Sequence, residues 1–588
     1  MNILGISGLA NALPFKQKHW PGLDPREYRI AQGYDSAAAL ICQGALAAAS
    51  GEERFSRCKH TGGFPIGAAS FCLAEAGIDI RDVDEIAHGF DYSPYKDLYA
   101  MEPLSAELYD QVFSREALLE QIDQHFPGFP HDRVFQVGHH LAHAASAYFT
   151  SGWEESLVAV IDAMGEVQSA TIYRVRDGKL EKLREIPAGH SIGILYSLVT
   201  LHLGFDFNSD EYKIMGLAPY GDPARYRAFF QDAVQLRPDG NIRIPMLSLN
   251  RTRDERENYL ATRWFLGEKL LPARVPDAEI GDQHRDVAAA LQECLERVVQ
   301  HICGHFRKST GLGRLALAGG VALNCTSNGK LIQSGLFDEV YIQPVAGDDG
   351  VAYGAALYRA SVAREVVNRR SPPPLFGPAY SQREVEATLK EFASLVDVTP
   401  FADFHGACAD AAELIAGGKV LGWYRGRMEF GPRALGNRSI LADPGHPEMR
   451  DRINAMVKKR EAFRPFAPAV SLEQVHQWFE VAPLTDMPYM ITIVDVREEC
   501  RSALPAITHV NGSARVQTVS AKDNPDFHSL LHAVAEKTGR EMVLNTSFNV
   551  KAQPIVNTPR EAIQTFLDTG IDYLFLENFR VSRKGVAR

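Results

Sequence analysis

Two stretches of the chain, more than a hundred residues apart, repeat one pattern. "YDSAAALICQGALAAASGEE", from Tyr34, reads as strand, tight turn at Gln43-Gly44, strand. "SLVAVIDAMGE" and "SATIYRV", from Ser156, read as strand, Gly-containing turn, strand. Helical stretches follow each pair, "SREALLEQIDQHF" after the first and residues 285–307 after the second. "RLALAGGVALNC" then reads as strand, Gly-Gly turn and helix, and "EVYIQPVAGDDGVAYGAALYRA" as strand, loop and helix. A chain that repeats hairpin-plus-helix is constrained to an α/β domain with two related halves. That domain is expected over residues 1–370. The Pro-rich "SPPPLFGPAYS" (371–381) is the expected linker, because Pro neither extends a helix nor pairs in a central strand. Beyond it, "REVEATLKEF", "VLGWYRG", "PYMITIVDV", "EMVLNTSF" and "YLFLENFRV" alternate helix and strand, predicting a second α/β domain over 382–588.

Bulk properties narrow the function classes. A net charge of −11 argues against a general nucleic-acid or anionic-membrane binder, while leaving room for a local basic pocket. The 8 cysteines include no C-x-x-C pair, so neither a zinc ribbon nor a redox dithiol is indicated. The N-terminus lacks the character of a leader peptide and no apolar run reaches spanning length, so a cytoplasmic location is expected.

The densest chemical signal is "HHLAHA" (139–144). On a helix, His139 and His143 share one face a turn apart, a spacing that can chelate one metal or simply pack. The zinc-protease pattern requires Glu after the first ligand, and His140 stands there instead. Carboxylates to complete a shell lie at strand ends: Asp162 in "VAVIDAMGE", alternatively a turn residue, and Asp348 in "AGDDGVAYGAA", alternatively a helix N-cap.

Gly319-Gly320 between a buried strand and a helix allows close approach of a flat base or phosphate. With "GDDG" and the paired hairpins, it resembles the actin/hexokinase/Hsp70-type nucleotide fold. Lys213, in the turn-rich "DEYKIMGLAPYGD", is either a phosphate contact or a surface lysine. The second half carries "GWYRGRMEFGPRALGNRSILADP", then "NAMVKKREAFRPFAPAV", "HVNGSARVQTV" and "LNTSFNVKAQPIV". So many guanidiniums near Gly turns, without helical or strand period, suggest a pocket for phosphate or carboxylate groups.

Together these motifs resemble the ATP-dependent O-carbamoyltransferases of secondary metabolism, the NodU/CmcH type. "DSAAAL", "EERFSR-KH", "HHLAHAASA", "EYKIMGLAPYG", "LAGGVALNC", "GDDGVAYGAA", "FGPRALGNRSILADP", "FRPFAPAV", "GSARVQTV" and "LNTSFNV" follow the family order over nearly the whole chain. The resemblance implies an N-terminal actin-like (ASKHA-type) domain similar to the threonylcarbamoyl-transfer enzymes and a C-terminal YrdC-like α/β domain. It implies that carbamoyl phosphate and ATP form carbamoyl-adenylate in the second domain, and that an acceptor hydroxyl takes the carbamoyl group in the first. It implies a metal, iron in related enzymes, on His139, His143, Asp162 and Asp348, with Mg accompanying ATP. Nucleotide contacts fall on Lys59, Gly165, Lys213, Gly319, Gly320 and Asn324. Carbamoyl-phosphate contacts fall on Arg433, Lys458, Arg464, Arg515, Asn545 and Ser547. Tyr34 and Asp35 join His139 and His143 as catalytic candidates. The implied partner is a small hydroxylated acceptor, with neither nucleic acid nor membrane; a homodimer is compatible, and the sequence carries no direct signal of oligomeric state.

Three departures matter. The family's "HDS" is "YDS" here, and a tyrosine with pKa near about 10 is a poor base at neutral pH. The usual "DGxGE" is "DAMGE", placing Ala163 where glycine is usual. A loop-like insert over 8–32 precedes Tyr34 and is expected to cover the acceptor pocket. The competing readings are an actin-like-fold small-molecule kinase, which leaves the histidines and the Arg-rich half without a task, and a non-enzymatic chaperone or RNA-binding module, disfavoured by the negative charge.

Overall fold

A computed structural model describes residues 1–363, 373–458, 461 and 463–585, without the side chain of Lys458. The chain forms two compact units, one of Met1–Ser56 and His60–Ser371, the other of Arg57–Lys59 and Pro372–Arg588.

The first unit holds two five-stranded sheets. One contains β1 (Asn2–Ile6), β2 (Ala37–Cys42), β3 (Ala45–Gly51), β4 (Glu85–His88) and β5 (Val134–Gln136), in the order β3-β2-β1-β4-β5. The other contains β6 (Glu155–Ile161), β7 (Gln168–Arg176) and β8 (Lys179–Pro187). After a short hairpin of β9 (Gln235–Leu236) and β10 (Ile242–Arg243), it is completed by β11 (Arg314–Ala318) and β12 (Glu339–Ile342). Its order, β8-β7-β6-β11-β12, is the same topology again. In both sheets the first three strands are antiparallel and the last two join parallel to the first. This duplicated arrangement is the actin-like fold, and the predicted hairpins are β2-β3 and β6-β7. The β2-β3 turn uses left-handed Gln43 and Gly44, the geometry that matches strand twist.

The helices carrying the sequence motifs pack on these sheets. The His139–Ser151 helix lies against the Asp349–Val362 helix so closely that a Cβ on Gly354 would stand 1.8 Å from the Ala142 carbonyl oxygen. The 285–307 prediction is met by a helix over Asp282–Thr310. Two expectations need correction. The insert is not plain loop: Ala12–His19 is helical, burying Ala12, Phe15 and Lys16 at helical spacing. The "turn-rich" stretch from 210 contains the helix Glu211–Leu217, which buries Lys213, Ile214 and Leu217 on one face.

The second unit is built on one eight-stranded sheet of β13 (Val396–Pro400), β14 (Leu421–Tyr424), β15 (Arg438–Ala442), β16 (Ala467–Ser471), β19 (Gln517–Val519), β20 (Met542–Ser547), β21 (Tyr573–Leu576) and β22 (Phe579–Arg583). A separate hairpin pairs β17 (Ile493–Asp495) with β18 (Ser513–Arg515). The main order is β13-β22-β21-β14-β15-β20-β16-β19. Alternate strand residues serve two cores. Leu421, Trp423, Leu441 and Val543 pack with the helices Phe404–Ala416 and Pro525–Thr538. Tyr424, Ile440, Met542 and Leu544 pack on the other face with Ile563 and Phe566 of the helix Pro559–Leu567. That two-sided alternation makes the sheet the middle of three layers. The described part of the expected linker belongs to this unit. Gly377 N–H donates to the Met428 carbonyl, and Met428 N–H to that of Pro378. Prolines suit this extended edge, where few of their backbone N–H groups would be needed.

Candidate metal centre and anion-binding strand ends

His139 and His143 are wholly buried, one turn apart on the His139–Ser151 helix. The helix begins at Gly138, and its first N–H, from His139, donates to Glu166 Oε1 at 2.7 Å. The same oxygen accepts from Asp91 N–H at 2.9 Å. Glu166 therefore anchors the start of the helix from the β6-β7 turn. A carboxylate is favoured there by unsatisfied N–H groups. Asp162 stands just past the end of β6, its Oδ1 accepting from Gly320 N–H at 3.0 Å. Asp348 occupies the N-cap position of the Asp349–Val362 helix but makes no capping hydrogen bond with its side chain. Its carboxylate turns toward the histidines instead.

His139 Nε2 lies 3.1 Å from His143 Nε2 and 3.4 Å from both Asp162 Oδ2 and Asp348 Oδ1. His143 Nε2 is 3.9 and 3.6 Å from the same carboxylate oxygens. Atoms ligating one ion at about 2.0–2.2 Å stand roughly 3–3.5 Å apart. Two imidazoles and two carboxylates at this spacing suit iron, zinc or manganese. The sequence-predicted quartet is thus brought together, and it fits a divalent ion.

The surroundings orient these donors. His139 Nδ1–H donates to the Gly89 carbonyl at 3.2 Å, and the ring stacks on Phe90 with centroids 4.3 Å apart. That hydrogen bond directs Nε2 to the cluster. Burial opposes charge on His139, but Asp348 and Asp162 outweigh it and hold the imidazole well above its ordinary pKa. Burial likewise works against the carboxylate of Asp162, and the histidines, His139 foremost, overcome it and hold the group far below its usual range. The cluster favours a positive charge at its centre. His140, 1% exposed, takes no part: its Nδ1 pairs with Thr171 Oγ1 at 2.8 Å. Burial keeps it well below the usual histidine range.

The other predicted residues of this unit divide. Gly319 has φ of 89°, and a Cβ there would meet the Ile161 carbonyl oxygen at 2.4 Å; this turn requires glycine and delivers Gly320 N–H to Asp162. Gly165 is against the histidines, a Cβ there falling 2.9 Å from His140 Cδ2. Its carbonyl accepts from Gln32 Nε2, so the end of the insert reaches this turn. Ala163 is absent from the left-handed residues, so the turn does not need glycine at that position. Asn324 is hydrogen-bonded within the unit. Its Oδ1 caps the Cys325–Gln333 helix through Ser327 N–H at 2.9 Å, and its amide pairs with that of Gln292 at 2.9 and 3.0 Å. Lys213 is buried, 2.8 Å from Asp210 Oδ2, with its ammonium over the Phe205 ring. Lys59 groups with the second unit. Tyr34 is buried, and its hydroxyl donates to the Tyr28 carbonyl at 2.9 Å. Asp35 Oδ1 pairs with His60 Nδ1 at 2.7 Å. Sequence reading passed over Glu166 and His60. Both lay inside quoted motifs, "DAMGE" and "EERFSR-KH", which was the available signal.

In the second unit, sheet register gathers the anion-binding candidates. β16 and β19 are parallel, with Ala469 opposite Gln517, so Arg464 and Arg515 both precede the same strand ends. β20 runs antiparallel, with Asn545 opposite Ala467, and Ser439 at the start of β15 lies opposite Ser547. Arg433 stands five residues before β15. Asn545 is buried, its Nδ2 donating to Gln517 Oε1 at 2.8 Å, while Ser547 Oγ donates to Asn549 Oδ1 at 2.7 Å. The side chain of Lys458 lies outside the described residues. Two nearby groups are structural. Arg438 is fully buried and donates to the carbonyls of Arg425, Asn437, Pro378 and Gly426. Glu429 Oε1 accepts from the N–H groups of Leu435, Asn437 and Arg438. These donors of the "GPRALGNRS" loop are taken by the protein's own carboxylate.

Known proteins match both units. Two family models fit: "Carbamoyltransferase N-terminus" over residues 102–357 and "Carbamoyltransferase C-terminus" over residues 412–583. Nodulation protein NolNO of Sinorhizobium fredii is 38% identical over 563 residues, covering 94% of this chain and 79% of that protein. Nodulation protein NolO of Bradyrhizobium diazoefficiens is 43% identical over 451 residues, covering 76% of this chain and 79% of its own. The 3'-hydroxymethylcephem-O-carbamoyltransferase of Streptomyces clavuligerus is 31% identical over 361 residues, covering 60% of this chain and 61% of that enzyme.

Proposed function

Because this chain belongs to the carbamoyltransferase family, we propose that it is an ATP-dependent O-carbamoyltransferase acting on a hydroxylated small natural product. The observation that carries this reading is the His139/His143/Asp162/Asp348 quartet, a ready cation site within an actin-like fold. In the proposed sequence the second unit, read as YrdC-like, hydrolyses carbamoyl phosphate, water adding to the carbamoyl carbon as phosphate leaves, to give carbamate. The carbamate oxygen then displaces pyrophosphate from ATP, giving carbamoyl-adenylate. In the first unit an acceptor hydroxyl attacks the carbamoyl carbon and AMP leaves.

The residues divide the labour by charge. Arg433, Arg464 and Arg515, near one end of β15, β16 and β19, serve the polyanionic reactants of the first step, where bidentate guanidiniums hold phosphate oxygens. Gly165, Gly319 and Gly320 leave room for the adenylate beside the quartet by carrying no side chain, their own backbone groups being tied to the protein, as Gly320 N–H is to Asp162. A divalent ion on the quartet, iron by the family resemblance, supplies Lewis-acid polarisation of the carbamoyl group when bound. Glu166 and Gly89 fix His139, and Gly320 fixes Asp162, so the donors are held before anything binds.

The test is a pair of half-reactions. With carbamoyl phosphate, the protein should exchange labelled pyrophosphate into ATP without any acceptor. His139→Ala should retain that exchange and lose AMP release to a nucleophile. Failure of the unmodified protein to exchange pyrophosphate would remove the carbamoyl-adenylate reading.

A further inference from the structure

The transfer step requires one more group. An alcohol is a weak nucleophile until its proton has somewhere to go, and Tyr34, at the expected base position, donates its own proton to the Tyr28 carbonyl. A different pair stands ready beside it. His60 Nδ1 is 2.7 Å from Asp35 Oδ1, while His60 Nε2 has no hydrogen-bond partner among the described residues. A carboxylate on Nδ1–H fixes the imidazole tautomer in which Nε2 carries the lone pair, and it stabilises the imidazolium formed when that atom takes a proton.

The backbone holds the pair in place. Asp35 and His60 both adopt left-handed conformations, with φ of 56° and 55°. Such conformations persist where the surroundings enforce them and concentrate at functional sites. The enforcing contacts are visible. Ser36 N–H donates to the Thr61 carbonyl at 2.9 Å, locking the two turns together. Glu53 Oε2 accepts from His60 N–H at 3.0 Å. A Cβ on Gly62 would meet the Gly33 carbonyl oxygen at 2.7 Å, so the turns cannot separate without loss of that contact.

The pair also neighbours the metal quartet. Asp349, next in the chain to Asp348, lies within electrostatic reach of Asp35 and Glu53. From the other side, Gln32, three residues before Asp35, donates to the Gly165 carbonyl against the histidine helix.

We infer that His60 is the general base of the transfer step and that Asp35 is its positioning residue. The inference rests on the carbamoyl-adenylate reading. As the acceptor oxygen bonds to the carbamoyl carbon, its proton passes to His60 Nε2. The carbon–oxygen bond to the phosphate breaks, AMP leaves with that electron pair, and the imidazolium later releases its proton to water.

The experiment uses the full chain, metal-loaded, with water and glycerol as hydroxyl nucleophiles and hydroxylamine as one that needs no deprotonation. His60→Gln should cut hydroxyl-dependent AMP release by about 100-fold or more, the usual reach of a general base. Hydroxylamine-dependent release and pyrophosphate exchange should be unchanged. Asp35→Asn should show the same split, and added imidazole should restore hydroxyl-dependent release to His60→Ala. Equal loss with all nucleophiles, no loss with any, or loss of a bound metal equivalent in His60→Gln would overturn the assignment; the last would make Asp35, Glu53 and His60 a second cation site. If the unmodified protein exchanges no pyrophosphate or releases no AMP, the underlying reading fails instead.

Discussion

Gly354→Ala asks whether one helix contact builds the metal centre. The added Cβ would stand 1.8 Å from the Ala142 carbonyl oxygen, with Ser146 Cβ at 3.1 Å. Ordinary carbon–oxygen approach is about 3.3 Å, so the two helices must separate by roughly 1.5 Å at this point. The obstacle is backbone and cannot rotate away. Overpacking of this kind costs about 1–3 kcal/mol, occasionally more, and a rigid neighbour puts the cost at the upper end. The strain also has a direction. Ala142 lies between His139 and His143, and Asp348 stands at the N-terminal end of the helix that Gly354 belongs to, at 3.4 and 3.6 Å from the two imidazoles. Separating the helices moves Asp348 from both histidines while leaving Asp162, fixed on β6 and Gly320, in place. Metal affinity should fall by about 10- to 100-fold, the range seen when support of a ligand is lost. The assay is anaerobic titration with Fe(II) or Co(II), alongside thermal unfolding of the same samples. Gly354→Ala with unchanged melting and unchanged affinity would refute the claim that this helix crossing sets the quartet.

Other expectations are more local. Gly267→Ala is the matched control: in the Leu260–Lys269 helix a Cβ there meets nothing within 4 Å. It should raise stability by about 0.4–1 kcal/mol, read as a higher denaturant midpoint. Lys16 is buried, donating to the carbonyls of Ile30 and Glu257. Burial pushes its pKa down to about 8, against opposing pulls from Glu257 and Glu27. A depressed folded pKa contributes stability that is present above the unfolded value, 10.5, and is lost as pH falls through about 8. Stability should therefore climb across that window by about 3 kcal/mol, and Lys16→Met should flatten the climb; equal pH slopes in both proteins would dispose of it. Deleting residues 17–26, the most exposed part of the insert, should alter nucleophile-dependent AMP release while sparing pyrophosphate exchange, and equal loss of both would contradict its assignment to the acceptor side.

What the sequence revealed, and what it concealed, follows from range. The β2-β3 and β6-β7 hairpins were legible because strand, turn and strand are contiguous and their periodicity is local. The order in which β4, β5, β11 and β12 join the two sheets is set by helices crossing over tens of residues, so only the fold resemblance anticipated it. The quartet was legible for a similar reason: His139 and His143 are a turn apart, and both aspartates stand at strand or helix ends. Asn324 shows what local sequence conceals. Its amide is satisfied by Gln292, 32 residues away, and such pairing leaves no trace in local sequence. The role of Arg438 is hidden in the same manner, since the carbonyls of Arg425, Asn437, Pro378 and Gly426 absorb its guanidinium.

Tyr34 and His60 are separated by the same limit of range. A motif read locally assigns a task to a position, so "YDS" in place of "HDS" looked like a missing base. In three dimensions the position before Asp35 is only one of several that can present an imidazole to that carboxylate. The turn at 60–62 supplies one, 25 residues on, through backbone contacts that require Gly62 and a left-handed His60. With the imidazole carried on that turn, Tyr34 is released to bind the insert at Tyr28. Tyr34 and the insert at 8–32 are therefore structurally linked: the hydroxyl at 34 holds Tyr28, and Gln32 of the same segment reaches the Gly165 carbonyl in the turn beside the histidines.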